Sequence, residues 1–279
     1  MSHYYVVEPF NQENGELRVE FQTEISKDEF DNIAELFWIT GTCHSIDEIM
    51  EIVIENGLDF KKWMEPNNLQ SHRSLGKSAE NLILISNKRV LNYVSSIKTF
   101  IDIATRLIKQ TKPEKNEQFH SLTSKFYDNH MEYRFWANFR NYVVHCAMPY
   151  TGFKESLEKP CEIVCFKEDL LKFDNWKHSR ADIENFSDEI NLVEMVDEMN
   201  SLIYMLYLDF YYIFSKDILD ATNKYAAYLK KYNCNSIMLF TTEIPEDILG
   251  GGLVPLPIDR LNKAIGILQT HPKWNIIIS

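Results

Sequence analysis

The chain has 279 residues, of which 45% are apolar and 25% are charged, with only nine glycines and nine prolines. These proportions predict a globular protein with a substantial core and exclude collagen-like, linker-dominated and low-complexity chains. The net charge of -12 argues against general nucleic-acid binding as the main activity, because a surplus of carboxylates repels a polyanion.

The charge is distributed unevenly along the chain. Residues 78–150 contain ten Lys or Arg against six Asp or Glu, whereas residues 162–198 contain four bases against eleven acids. A basic segment inside an acidic protein is compatible with a small phosphate site and incompatible with a long electrostatic groove.

The five cysteines, an odd number in a chain of this length, are expected to be reduced thiols. The first residues lack the basic and apolar regions of a secretory signal, and the longest apolar run, 202–214, is too short to cross a bilayer. We therefore expect a soluble cytoplasmic protein that has no membrane partner.

A β-hairpin is predicted for residues 1–25. Two short β-prone runs, at 4–7 and 17–21, stand on either side of Asn14-Gly15, a dipeptide that favours a tight turn. This hairpin would form the amino-terminal β element of the chain.

Helical spacing of apolar residues begins at Ser26. Two helices are expected first, ending at Gly41 and Gly57, and the following interval, 59–76, is polar and irregular. Longer helices are then predicted at 78–110, 114–128, 131–146 and, with a bend, 188–231, and residues 161–166 are predicted to be extended.

The pattern changes again beyond Asn233. A β-prone run at 237–240, a triple-glycine turn at 250–252, a short helix at 259–269 and a closing strand at 276–278 are predicted there. The predicted fold is therefore mainly α: a helical bundle at 26–232, with a β-hairpin at 1–25 and a small α/β extension at 233–279 packed on the bundle.

Two short motifs do not support a site. Residues 76–78 resemble the end of a phosphate-binding P-loop, but Ser71 stands where that loop needs a glycine, so that Ser78 is better explained as a helix cap. Cys161 and Cys165 have the wrong spacing for a zinc knuckle and lack a second pair. We predict no metal and no cofactor.

The most informative segment is the aromatic-rich helix predicted around 133–145. At 100° per residue its apolar residues form one core stripe, and a polar stripe lies beside it. The residues of the polar stripe are Arg134, Asn138, Asn141 and His145. Arg140 lies on the other side of the core stripe, about 140° from His145. These two can serve one reaction centre only if the end of the helix is distorted near Pro149 or if a second copy of the helix completes the site. We expect the second arrangement, a homodimer.

These residue types suit the cleavage of RNA, which carries its own nucleophile in the 2′-hydroxyl group. Neutral His145 can act as an acid or base near pH 7, and Arg140 offers planar donors that match phosphate oxygens. Asn141 could orient His145 from one helical turn away. Arg134 and Asn138, on the same stripe, are candidates for binding the RNA substrate.

One hexapeptide in this helix carries a family resemblance. It reads Arg140-Asn141-Tyr142-Val143-Val144-His145 and resembles the Arg-polar-x-x-x-His signature of the HEPN superfamily (higher eukaryotes and prokaryotes nucleotide-binding). The resemblance implies a helical-bundle core at about 78–231 and a metal-independent endoribonuclease that dimerises to form its active site, with Arg140 and His145 catalytic and Asn141 supporting them. It also implies a toxin or antiviral-defence role, with an antitoxin or defence-system protein as a possible partner.

Other interpretations of the same residues stay open. His145 could be a hydrogen-bonded structural histidine, Arg140 a surface ion-pair partner, and Arg134 a structural residue. At the level of the whole chain, the alternatives are a non-catalytic helical module that dimerises or holds a protein or nucleotide, and an enzyme acting on a small phosphorylated ligand.

Overall fold

The structure, a computed structural model, is mainly α-helical with a few short strands, which confirms the predicted fold class. It describes residues 2–11, 17–243 and 251–274. The chain forms two compact units, Met1–His44 with Tyr211–Ser279, and Ser45–Phe210. The division into segments at 25 and 232 stays a prediction.

The helices are α1 (Lys27–Glu35), α2 (Trp38–Met64), α3 (Pro66–Ser74), α4 (Ala79–Thr111), α5 (Asn116–Asn129), α6 (Met131–His145), α7 (Lys167–Leu171), α8 (Ser179–Glu184), α9 (Val196–Ile213), α10 (Ser215–Tyr232) and α11 (Ile258–Thr270). The strands are β1 (His3–Asn11), β2 (Leu17–Ile25), β3 (Tyr150–Lys154), β4 (Glu162–Phe166), β5 (Glu189–Ile190), β6 (Met238–Thr242) and β7 (Gly252–Val254). Within the described residues, no helix is both long enough and apolar enough to span a membrane.

The two ends of the chain share one antiparallel sheet in the first unit, with strand order β2-β1-β6-β7. The predicted hairpin is confirmed as the pairing of β1 with β2, while its Asn14-Gly15 turn lies outside the described residues. Buried Tyr5, Val7 and Phe240 pack together on one face of the sheet. The predicted strand at 276–278 and Gly250 also lie outside the described residues.

The prediction that helices end at Gly41 and Gly57 is wrong, because α2 continues through both. A Cβ atom on Gly57 would lie 3.0 Å from the Asn200 and Tyr93 side chains, so this glycine permits close packing in the middle of a helix. The predicted irregular interval is also wrong, since α2 extends to Met64 and α3 follows with Pro66 at its start.

The long helices of the second unit match their predictions closely. α4 begins after Ser78, whose hydroxyl accepts a hydrogen bond from the Asn81 amide as an N-cap should, and it ends before Pro113. The predicted helix at 188–231 begins later than expected, because Glu189–Ile190 is the short strand β5 and α9 starts only at Val196. Its predicted bend is the break at Phe214 between α9 and α10.

Candidate active site

The predicted core stripe of α6 is buried against an aromatic cluster. Trp176 stacks on Phe135 and Tyr142 with ring centroids 5.8 and 5.5 Å apart, and its indole nitrogen donates to the Leu170 carbonyl. Burial raises the pKa of Tyr142, so this phenol stays neutral inside the core. The rotation of α6 about its axis is therefore fixed, which decides where each polar residue of the motif lies.

The end of α6 is held by α4. The Cys146 amide donates to the Tyr142 carbonyl at 2.8 Å, and the chain then leaves the helix before Pro149. The side chain of Asn87, which is buried, bonds both the amide and the carbonyl of Tyr150, at 3.0 and 2.9 Å. Helix α6 is regular up to His145, and the contacts of Asn87 fix the position of the chain where it leaves the helix.

Arg134 is engaged inside the protein. Its guanidinium donates two hydrogen bonds to the Asp182 carboxylate, at 2.6 and 2.8 Å, and two more to the carbonyls of Tyr127 and Asp128. Both side chains of the ion pair are less than a fifth exposed, and the hydrogen bonds to Asp182 raise the pKa of Arg134. These contacts favour the structural role that the sequence left open for Arg134 over RNA binding.

Asn138 has a similar role. It is buried, and its amide nitrogen donates to the Tyr127 hydroxyl at 2.9 Å and to the Ser179 hydroxyl at 2.8 Å. The side chain therefore joins α6 to α5 and α8. Both residues predicted to bind substrate hold the bundle together in this structure through internal partners, and their contact with RNA stays a prediction.

Arg140 has a different environment. It is half-buried and lines a cavity of about 580 Å³ between α4, α5 and α6, which Met199 of α9 also lines. No ion pair or hydrogen bond joins its side chain to any residue that the structure describes. The ion pair that the surface interpretation of Arg140 requires is therefore not formed with any described residue. A guanidinium is a good donor to an anion, and Arg140 is one of the residues that line this cavity.

His145, the last residue of α6, is exposed, and Asn141 is half-buried. Across the described part of the chain neither side chain has a hydrogen-bond partner, so the expected contact between Asn141 and His145 is not formed. The residues after His145 are also exposed, and Val144 and Met148 are 48% and 42% accessible. The structural interpretation of His145 lacks the hydrogen bond that it requires.

One chain does not bring Arg140 and His145 together. Five residues of a regular helix separate them by about 140° around the axis and about 7.5 Å along it. Arg140 lines the cavity between α4, α5 and α6, whereas His145 and Asn141 do not. The regular helix excludes the alternative of a distorted helix end, so a shared centre would require a second copy.

The sequence interpretation missed the cavity and the polar face of α5 that lines it. Asn116, His120 and Ser124 follow one another at intervals of four residues, which places them on one side of that helix. This spacing was visible in the sequence, but the stripe carries few charges and resembles an ordinary solvated face.

Comparisons with protein-family models, with curated proteins and with solved structures find no match for this chain. The resemblance to the HEPN superfamily therefore depends on the hexapeptide and on its place at the end of a bundle helix. What the site can do has to be argued from the residues themselves.

Proposed function

We propose that this protein is a metal-independent endoribonuclease of a toxin or antiviral-defence type, which acts in the cytoplasm as a homodimer. The observation that carries the proposal is the contrast within α6: Arg134 is fully engaged with Asp182 and two carbonyls, whereas Arg140 has no partner among the described residues and lines an open cavity. A half-buried guanidinium without a carboxylate is a good binding group for phosphate.

The proposed reaction needs only the substrate and two side chains. His145 accepts the proton of the ribose 2′-hydroxyl, whose oxygen attacks the adjacent phosphorus. The bond from phosphorus to the 5′-oxygen breaks, and the proton on His145 goes to that departing oxygen. The products are a 2′,3′-cyclic phosphate and a 5′-hydroxyl, and Arg140 stabilises the added negative charge on the phosphorane.

The two groups would come from different copies of the chain. Exposed Val144 and Met148 stand on either side of His145 in the sequence, and clustered exposed apolar side chains are typical of protein interfaces. The proposal requires a twofold contact that covers them and brings His145 of one copy against Arg140 of the other. Asn141, half-buried on the same helix, would orient the imidazole once the contact is formed.

The test is RNA cleavage by purified protein in the presence of a chelator. Arg140→Ala and His145→Ala should each lower the rate about 100-fold or more, in line with the loss of a charge-stabilising donor or an acid–base group. Arg106→Ala and His178→Ala, which remove exposed residues of the same types outside the motif, are the matched controls.

Equal cleavage by all five proteins would refute the catalytic assignment. Retained cleavage of a single-stranded RNA by the two motif variants, with loss in the controls, would refute it as well. A loss of thermal stability in His145→Ala without any RNA cleavage by the wild type would favour the non-catalytic module instead.

A further inference from the structure

The second unit contains a strand that is only partly paired on one of its sides. β4 is the central strand of the antiparallel sheet β3-β4-β5. β3 pairs with it along residues 162–165, whereas the short strand β5 pairs only with Cys165 and Phe166. After β5 the chain turns at Asn191, whose side chain accepts a hydrogen bond from the Val193 amide, into a 3₁₀-helix. Among the described strands, none lies beside residues 162–164 on this side of β4.

The register of the sheet shows which backbone groups this leaves without a strand. The Lys167 amide donates to the Asp188 carbonyl at 2.9 Å, and the backbone groups of successive residues in a strand point alternately to its two neighbours. Cys165 and Ile163 therefore also direct their amides and carbonyls to the side of β5. Cys165 has its partner in β5, but the position opposite Ile163 is Leu192, which already belongs to the 3₁₀-helix. The ladder thus gives the amide and carbonyl of Ile163 no partner on this side.

This part of β4 lines a cavity of about 510 Å³. The other walls are the end of α2, the start of α3 and residues 189–193. Its apolar side chains are Met64, Leu69, Ile163, Val164 and Val193. A strand edge beside an apolar groove is the arrangement in which an extended peptide adds a strand to a sheet, because the main chain pairs with the edge and alternate side chains enter the groove.

The charges of the groove select a basic peptide. Its wall contains Lys61 and three glutamates, and both Lys61 and Glu189 pair with residues outside the wall. The other two glutamates, Glu65 and Glu162, are exposed and form no ion pair with any residue in the described ranges. The surrounding stretch 162–198 has eleven acids against four bases. Two uncompensated carboxylates in an acidic surface attract lysine or arginine side chains and repel an acidic segment.

We infer that β4 accepts an extended, basic segment of a partner protein as an additional strand beside Ile163, where β5 has ended. The Ile163 amide donates to the main chain of this segment, and the Ile163 carbonyl accepts from it. An apolar side chain of the segment enters the groove, and basic side chains on either side of it reach Glu65 and Glu162. The inference does not depend on RNA cleavage, because neither Arg140 nor His145 belongs to this wall.

The test uses the peptide acetyl-Lys-Val-Lys-Val-Lys-amide, which alternates basic and apolar side chains, titrated into the full-length protein by calorimetry. It should bind at millimolar concentration or below. The same peptide with its interior amides N-methylated keeps the charge but loses main-chain donors, and it should bind about tenfold or more weakly. The analogue with glutamate in place of lysine should also bind about tenfold or more weakly, because it meets the carboxylates of the groove.

Variants of the protein locate the site. Met64→Trp fills the groove and should abolish peptide binding, whereas Asn67→Trp, at an exposed position outside the wall, should leave it unchanged. Glu65→Gln and Glu162→Gln, which are conservative, should each weaken binding about twofold to fivefold through the loss of one exposed ion pair. Glu158→Gln removes an exposed carboxylate of the connection between β3 and β4, outside the wall, and should have no effect.

Hydrogen exchange reports the added strand directly. On saturation with the lysine peptide, amide exchange in the segment 161–166 should slow about tenfold or more, while exchange in α10 of the first unit stays unchanged. No detectable binding at millimolar concentration overturns the inference. So does equal binding of the N-methylated peptide, which would mean attraction by charge alone, and so do equal effects of the two tryptophan substitutions or protection of other segments without 161–166.

Discussion

The ion pair between Arg134 and Asp182 gives the sharpest prediction about the stability of the helical unit. Two charge-assisted hydrogen bonds join the side chains at 2.6 and 2.8 Å, and each side chain is less than a fifth exposed. Asp182→Asn removes the negative charge and leaves the guanidinium facing a neutral amide. Because a buried charge without its partner costs about 3–5 kcal/mol, and this site keeps some exposure, we expect a loss of about 3 kcal/mol in the free energy of unfolding.

The matched control lies on the same helix. Glu184 pairs with Arg180 one turn away, but the Glu184 side chain is 54% exposed. Glu184→Gln should therefore lower the free energy of unfolding by about 0.5 kcal/mol or less. Urea unfolding followed by tryptophan fluorescence measures both, and the midpoint of Asp182→Asn should fall by about 1 M or more. Equal costs for the two substitutions would refute the structural role of Arg134. A role of Arg134 in RNA binding would instead appear as a change in the KM for RNA of the folded Asp182→Asn protein.

Three further predictions concern other parts of the molecule. Hydrogen bonds from two residues of α10 lower the pKa of the Glu29 carboxyl. Its contribution to stability is therefore present above about pH 4.5 and is lost as the pH falls through the lower, folded-state pKa. Glu29→Gln should flatten the acid side of the profile of stability against pH, and an unchanged profile would contradict this. Cys146 is exposed, whereas the other four cysteines are buried and burial raises the pKa of Cys165 to about 12. A thiol reagent at pH 8 should therefore modify one thiol of the wild type rapidly and no thiol of the Cys146→Ser protein rapidly. Gly57→Ala should lower the free energy of unfolding by about 1–3 kcal/mol through overpacking. Gly41→Ala should leave it unchanged or raise it, because a Cβ atom there meets open space. A larger loss for Gly41→Ala than for Gly57→Ala would be inconsistent with the packing described.

Local signals in the sequence were sufficient to predict most of the helices. α4 was found because Ser78 caps its start, Pro113 follows its end and apolar residues recur at helical spacing between them. The core stripe of α6 was predicted from the same periodicity, and its aromatic residues are buried as expected. The sequence wrongly predicts a helix end at Gly57, because a glycine that permits close packing and a glycine that ends a helix look alike in one sequence.

Long-range partners could not be predicted in the same way. The pairing of β1 with β6 joins strands more than 200 residues apart, and no local pattern specifies it. Asp182, which engages Arg134, is 48 residues distant in the chain. The cavity depends on the packing of α4, α5 and α6 with Met199 of α9. Arg140 could therefore be named as a candidate from its motif, while the space beside it could not be predicted.

The central claim is that Arg140 of one copy and His145 of another form one reaction centre. Arg140→Ala and His145→Ala proteins, each inactive alone, are mixed under conditions that allow subunits to exchange, and RNA cleavage is measured with a chelator present. Half of the dimers are then mixed, and each mixed dimer has one intact site of two, so about a quarter of the wild-type activity should return. If the mixture stays as inactive as its components although mixed dimers have formed, the composite site is contradicted.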